Sequence, residues 1–459
     1  MGRRRSAHRS RDVSRDVVAL RPAVHAWFKI SLQSFGGPAG QISVMHRELV
    51  EERRWIGEER FLHALSFCTL LPGPEAQQLA VYLGWLLNGT TGGLIAGILF
   101  VLPGYIALMV LSVLYARFGD AQAMEALFAG VAPAVVAIVA QAVWRVGGRA
   151  LRTPFFATVA VGAFAALFAF ETPFPLVIAT AGVLGFAVGK RRPDLVRSVP
   201  HASPVGVAAP LIADDALHRV APSTGRSARV LALGLVLWGL PVLAFALALG
   251  RDSIFVQQGM FFSGTALVTF GGAYAVLAHV AQRAVSTYHW LLPGEMVRGL
   301  AMAETTPGPL IQVVQFVAFL GAYRNPGSLN PWVSAVVGAT LVTWVTYVPC
   351  FLFIFLGAPY VEGLRANRNL SAALAAISAA VVGIIANLGV FFATHTLFAT
   401  TRIRRFGPVT LDLPQWTSVS PRAVGVACLA LFLLFKLRWS VLRTLAACAV
   451  TGASVYLLV

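Results

Sequence analysis

Residues 35–77 read FGGPAGQISVMHRELVEERRWIGEERFLHALSFCTLLPGPEAQ, and residues 270–312 read FGGAYAVLAHVAQRAVSTYHWLLPGEMVRGLAMAETTPGPLIQ. Phe35-Gly36-Gly37 returns as Phe270-Gly271-Gly272, Trp55 as Trp290, Pro72-Gly73-Pro74 as Pro307-Gly308-Pro309 and Gln77 as Gln312, each 235 residues later and with no gap. Beyond an insertion of 11 residues around Arg324 to Trp332, Pro103 matches Pro349, and Val135, Val136 and Gln141 match Val381, Val382 and Asn387. A whole domain is duplicated. In an apolar chain, two copies of one set of helix breakers mark a secondary transporter, with its site between the repeats near the bilayer midplane.

Composition narrows the class further. The chain is 57% hydrophobic and 12% charged, with mean hydropathy +0.74, whereas soluble domains carry about 25% charged residues. This is an all-α, multispanning membrane protein whose first partner is the lipid bilayer. Its net charge of +17 sits in a tail and in loops between apolar runs, which orients a membrane protein and excludes a nucleic-acid face. Cys68, Cys350, Cys428 and Cys448 lie in or beside apolar runs without metal-ligand spacing, so they read as reduced packing residues. Neither a P-loop nor an HExxH motif occurs, and no cofactor or metal is expected.

A crossing helix needs about 20 apolar residues. Runs near 23–45, 61–88, 92–116, 126–147, 153–170 and 173–189 supply six in the first half. The expected organisation is a basic cytoplasmic arm at 1–22, a first repeat at 23–189, a basic cytoplasmic linker at 190–229, a connecting helix at 230–249 and a second repeat at 250–459. The second half adds runs near 254–281, 295–323, 331–357, 370–393, 422–436 and 441–458, giving about 13 transmembrane helices in two homologous halves, broken or re-entrant at the Pro-Gly-Pro segments. The unpaired connecting helix leaves an odd number of crossings between equivalent points, so the second repeat enters the membrane inverted. The amino-terminal arm has no cleavage-type core and is held on the cytoplasmic side by its arginines. Arg402, Arg404 and Arg405 fall outside on this count, against the positive-inside rule.

Glycine pairs and Pro-Gly-Pro triplets break the helical hydrogen-bond ladder. At membrane depth such breaks persist only where the freed backbone is buried in protein or lines a wet cavity. The amino end of a half-helix then offers N–H groups and partial positive charge to an anion. On this basis Phe35, Gly36, Gly37, Pro38, Pro72, Gly73, Pro74 and Gln77, with Phe270, Gly271, Gly272, Pro307, Gly308, Pro309 and Gln312, are expected to form a shared anion site. Close helix packing is the plainer role of any one glycine, but repetition with Trp and Gln at matching distances favours the site. Lys29 is placed to attract an anion or to snorkel to the interface. Arg47, at the end of the first broken run, is placed to grip an oxyanion bidentately. Glu75 and Glu304 flank the two triplets without being repeat equivalents, and are candidates for carrying a proton or capping a helix. His63 and Glu295 are the other ionisable residues near apolar runs, and residues 46–60 read as an interfacial, salt-bridged segment.

The first copy is similar to the amino-terminal signature of the chromate transporter family. The second, TFGGAYAVLAHVAQ with AETTPGPLIQVVQFVAFLGAY, resembles that family's carboxy-terminal signature. The resemblance covers nearly all of the chain outside the arm, the linker and the last two spans. It implies the long, two-domain form of the family, which exports chromate across the plasma membrane and confers chromate resistance. One position departs within the repeat: Ala273 follows the second glycine pair where Pro38 follows the first, so the half-sites differ. A dianion leaving an interior about 100 mV negative gains roughly 4.6 kcal/mol, so export needs no ATP. Sulfate, with the same shape and charge, is the rival substrate, and a membrane-embedded enzyme with Glu75 or Glu304 as general base ranks lower. A homodimer is left open.

Overall fold

Helices stop where glycine and proline cut the apolar runs. The computed structural model describes residues 17–35, 37–69, 71–119, 121–170, 172–192, 211–212, 223–270, 273–292, 294–360, 368–406 and 409–458. The arm up to residue 16, most of the linker, and Gly36, Gly271 and Gly272 lie outside the described residues. α1 (Leu20–Gln33) ends before the first glycine pair, and α2 (Gly37–His46) begins with Gly37 at φ 71°. α2 widens into a π-turn (Arg47–Glu52), followed by Arg54 at φ 54° and then Trp55. α3 (Glu58–Cys68) leads to the first Pro-Gly-Pro, and α4 (Glu75–Phe118) starts directly after it. Within α4, Asn88 and Gly89 leave helical geometry, and the chain doubles back. A Cβ on Gly84 would lie 2.5 Å from the Gly92 carbonyl oxygen, so only glycine lets the two arms approach this closely.

The second copy repeats the series. α9 (Ile254–Val268), α10 (Ala273–Gln282), a π-turn (Arg283–Thr287), His289 at φ 54° before Trp290, α11 (Glu295–Thr305) and α12 (Val313–Arg324) follow in the same order. The insertion seen in the sequence is the loop at 325–330, which replaces the tight Asn88-Gly89 turn. α13 (Pro331–Gly357) corresponds to the second arm of α4, and α14 (Arg368–Leu397) to α5 (Gln122–Ala150). A hairpin of β1 (Thr401–Phe406) and β2 (Val409–Pro414) comes next. α15 (Pro421–Leu431) and α16 (Val441–Leu458) then start 267 residues after α6 (Pro154–Phe170) and α7 (Phe174–Arg191). The last two helices therefore belong to the repeat too, although no sequence signature reaches them. Among the described residues α8 (Thr224–Leu249) has no counterpart.

Of these sixteen α-helices, α4, α5, α7, α8, α13 and α14 are long and apolar enough to cross a membrane, and α6, α9, α12 and α16 are shorter apolar helices. The runs around the breaks are hairpins of half-length helices. Phe67 of α3 meets Tyr82 of α4 with ring centroids 5.3 Å apart, and a Cβ on Gly299 of α11 would lie 2.4 Å from Phe316 of α12. Such contacts require the chain to fold back at each Pro-Gly-Pro. Phe261 of α9 likewise meets His279 of α10 at 5.6 Å, and Arg47 beyond α2 returns to Gln33 of α1 at 2.7 Å. At 1.5 Å per residue, the 14 residues of α1 span about 21 Å, short of a hydrocarbon core about 30 Å thick.

The repeats are inverted. The second arm of α4 lies against α13, with Gly93 beside Phe355 and Gly97 beside Phe351; α5 lies against α14, with Gly147 beside Val382 and Val139 beside Gly389. In each pair residue numbers rise on one helix as they fall on the other. Equivalent helices packed antiparallel can be exchanged only by a two-fold axis perpendicular to them, which for spanning helices lies in the membrane plane. The halves also interlock. Gly185 of α7 packs on Ala376 of α14, and Gly452 of α16 packs on Gly130 of α5.

Candidate functional site

The breaks of one repeat close on those of the other. Thr269, just ahead of the second glycine pair, accepts a hydrogen bond from the Gly73 N–H at 2.6 Å. Its equivalent, Ser34, accepts from the Gly308 N–H at 2.9 Å. Gln41 adds a hydrogen bond to the Gly308 carbonyl. Gly73 (φ 131°) and Gly308 (φ 100°) both adopt a backbone that other residues avoid. The helices carrying Pro103 and Pro349 pass behind these tips. A Cβ on Gly104 would meet the Pro307 carbonyl, and a Cβ on Gly73 would lie 2.9 Å from Cys350 Sγ. Cys350 is the repeat equivalent of Gly104.

A cavity of about 380 Å³ opens beside this junction. Gly37 and Pro38 at the amino end of α2, Glu75 at the amino end of α4, Gln141 and Arg145 of α5, Arg152 just beyond it, and Tyr274 of α10 all line it. Arg145 donates to Gln141 Oε1 at 3.2 Å. Two helix amino ends, two guanidinium groups, an amide and a phenol thus face one space, against a single lining carboxylate among the described residues. That donor set suits an oxyanion, because guanidinium N–H groups match its oxygens bidentately and helix amino ends favour negative charge. Behind the wall, the Tyr274 hydroxyl donates to Glu304, a carboxylate only 2% exposed. No cluster of metal-ligating side chains occurs among the described residues.

The residues expected from sequence divide into four groups. Gly37, Pro38 and Glu75 reach the cavity, and Glu304 touches it through Tyr274. Phe35, Pro72, Gly73, Pro74, Phe270, Pro307, Gly308 and Pro309 build the junction of breaks behind it. Gln77 is fully buried with neither amide atom hydrogen bonded, whereas its equivalent Gln312 bonds to Gln315 and, at 3.3 Å, to Thr343. Lys29 and Arg47 lie apart from the cavity. Lys29 Nζ sits 2.6 Å from Glu48 and 3.2 Å from Glu52, and Arg47 donates to Gln33 and stands 3.5 Å from Glu52. Burial alone would raise the Glu48 carboxyl, but hydrogen bonds from Lys29 and Arg53 outweigh it and hold the group below its ordinary value. Glu295 forms a bidentate pair with Arg324, both contacts at 2.7 Å. The four cysteines are free; Cys68, Cys350 and Cys448 are buried and Cys428 is exposed.

Sequence reading missed Arg145, Arg152, Gln141 and Tyr274 as site residues. Arg145 falls at the end of the apolar run 126–147, where a basic residue reads as a loop flank, yet α5 continues to Ala150 and carries it along the cavity wall. A signal existed. Gln141 aligns with Asn387 across the repeat, and Tyr274 follows the one position, Ala273, where the glycine motifs diverge.

The family model described as Chromate transporter matches residues 23–186 and 256–453. The chain belongs to the chromate transporter family. The two matched blocks leave out α8 and the linker, and they take in α15 and most of α16. Among relatives, a chromate transport protein of Pseudomonas aeruginosa is 31% identical over 427 residues, covering 91% of this chain and 87% of its own length. A chromate transport protein of Cupriavidus metallidurans is 26% identical over 384 residues, 82% of this chain and 84% of its own. A probable chromate transport protein of Synechococcus elongatus is 25% identical over 381 residues, 83% and 86% respectively. No solved structure matches the chain.

Proposed function

We propose that this member of the family carries chromate, or an oxyanion of the same shape and charge, out of the cytoplasm across the plasma membrane and so confers chromate resistance. One observation carries the reading: the first glycine break, two helix amino ends, Arg145 and Gln141 share one cavity at the repeat junction. The amino terminus is cytoplasmic in this reading, following the basic arm and linker. Membrane potential drives the dianion outward, at roughly 2.3 kcal/mol per charge per 100 mV. Glu304 adds proton exchange, since a carboxylate at membrane depth costs about 3 kcal/mol and is retained where it is used.

Uptake of labelled chromate into everted vesicles tests the reading. Saturable uptake that Arg145→Gln abolishes supports it; uptake of sulfate but not chromate overturns the choice of substrate. At clamped potential a pH gradient should drive accumulation in the wild type and fail to do so in Glu304→Gln. An unchanged response in that variant defeats the coupling role.

A further inference from the structure

A second, smaller cavity of about 150 Å³ is lined by Thr172, Phe174, His279, Gln282, Arg283 and Asn387, among others. Three of its lining positions are the repeat equivalents of positions lining the larger cavity: Ile384 for Ile138, Asn387 for Gln141, and Phe174 for Val441. Because the repeat operation inverts the molecule, the two cavities open toward opposite faces. We propose that the smaller cavity is a second oxyanion station, occupied when the anion meets the transporter from the face opposite Arg145. The proposal rests on the transport reading above and adds a site to it.

The chemistry of this cavity differs from its counterpart in a way that favours an anion. Arg283 occupies the position equivalent to Glu48 in the first repeat. There, Glu48 is neutralised by Lys29 and Arg53. Arg283 instead has only the Thr287 hydroxyl, at 3.5 Å, and among the described residues no carboxylate pairs with it. Among the described residues no Asp or Glu lines the cavity. His279, whose ring lies 5.7 and 5.6 Å from those of Phe174 and Phe261, lines the same cavity as Arg283. A cation, an amide and hydroxyl donors are what a tetrahedral oxyanion needs on leaving water. The difference in size fits an inverted-repeat transporter at rest in one of two states: the wider cavity is the open access and the narrower one its closed counterpart.

Sidedness of transport tests the proposal on the full chain. Half-saturating chromate concentrations are measured in everted and right-side-out vesicles for the wild type, Arg283→Gln, Asn387→Ala and Arg145→Gln. Arg283→Gln and Asn387→Ala should raise the value roughly tenfold more when chromate is offered at their own face than at the other, the effect of losing a charge-assisted contact. Arg145→Gln should show the opposite bias, and Arg283→Lys should restore most of the wild-type value. If either of the first two variants fails to reach the membrane, Gln282→Ala and Thr172→Val, at other polar positions lining the same cavity, carry the same comparison. Equal shifts at both faces, or none at either, overturn the second station. Wild-type vesicles that move no oxyanion at all overturn the transport reading, and this inference with it.

Discussion

The backbone N–H of Gly308 is bonded to the carbonyl of Ser34 at 2.9 Å, joining a Pro-Gly-Pro tip of the second repeat to a glycine break of the first. The same bond recurs from Gly73 to Thr269 at 2.6 Å. Breaks that look like local kinks when read singly are thus parts of one junction, and each satisfies a backbone group that hydrocarbon would leave unpaired.

Gly73→Ala and Gly308→Ala should both lower the yield of folded protein and the transport rate. Their φ values of 131° and 100° cost an L-residue about 1–2 kcal/mol or more. The added Cβ at Gly308 would also sit 3.2 Å from the Phe100 carbonyl oxygen, a backbone atom that cannot swing aside. Melting temperatures in detergent, followed by size-exclusion chromatography, provide the check; wild-type melting in both variants would contradict the account.

Breaking the pair between Glu295 and Arg324 should destabilise the second repeat. Glu295 is 5% exposed and also accepts from the Leu292 N–H at 2.7 Å and from the Tyr115 hydroxyl at 3.2 Å. Removing Arg324 leaves that carboxylate underpaired, at a cost of about 2 kcal/mol once the partial exposure of Arg324 is allowed for. Arg324→Ala should therefore melt several degrees lower than the wild type, while Arg324→Lys recovers part of the loss.

Acid should loosen the charged turn after α2. The Glu48 carboxyl titrates below its ordinary value of 4.5 in the folded protein, so its contribution is complete above that pH and is lost as pH falls through the lower folded value. Melting temperature should accordingly drop on acidification below about pH 4.5, and Glu48→Gln should be less stable at neutral pH yet show a flatter acid limb. An identical acid limb in the variant would remove Glu48 from the explanation.

Orientation can be read by labelling. With a cytoplasmic amino terminus, a cysteine replacing Asp252 reacts with an impermeant reagent added outside intact cells, and one replacing Arg191 does not. The reverse pattern would turn the whole molecule over.

Much of this architecture was legible because helix breakers are costly in apolar runs, so their repetition stands out at Gly36-Gly37 and Pro72-Gly73-Pro74. Direction was harder to read. A run such as 61–88 has the composition of a crossing whether it passes through or folds back at Gly73, and only the contact of Phe67 with Tyr82 decides. α15 and α16 were legible as the runs 422–436 and 441–458 of the second repeat, but no motif aligned them with α6 and α7, and the β-hairpin shifts their spacing. Arg145 was hidden for another reason: its position at the end of an apolar run looks the same whether it faces a cavity or a headgroup.

The tips that lock the repeats together lie far apart along the chain. Gly308 leaves the ribosome 274 residues after Ser34, an interval on the order of tens of seconds at about 5–20 residues per second. During that time the first half sits in the bilayer with its half-helices open to whatever else is there. The bonds that tie Ser34 to Gly308 and Gly73 to Thr269 can therefore close only once the second repeat is made.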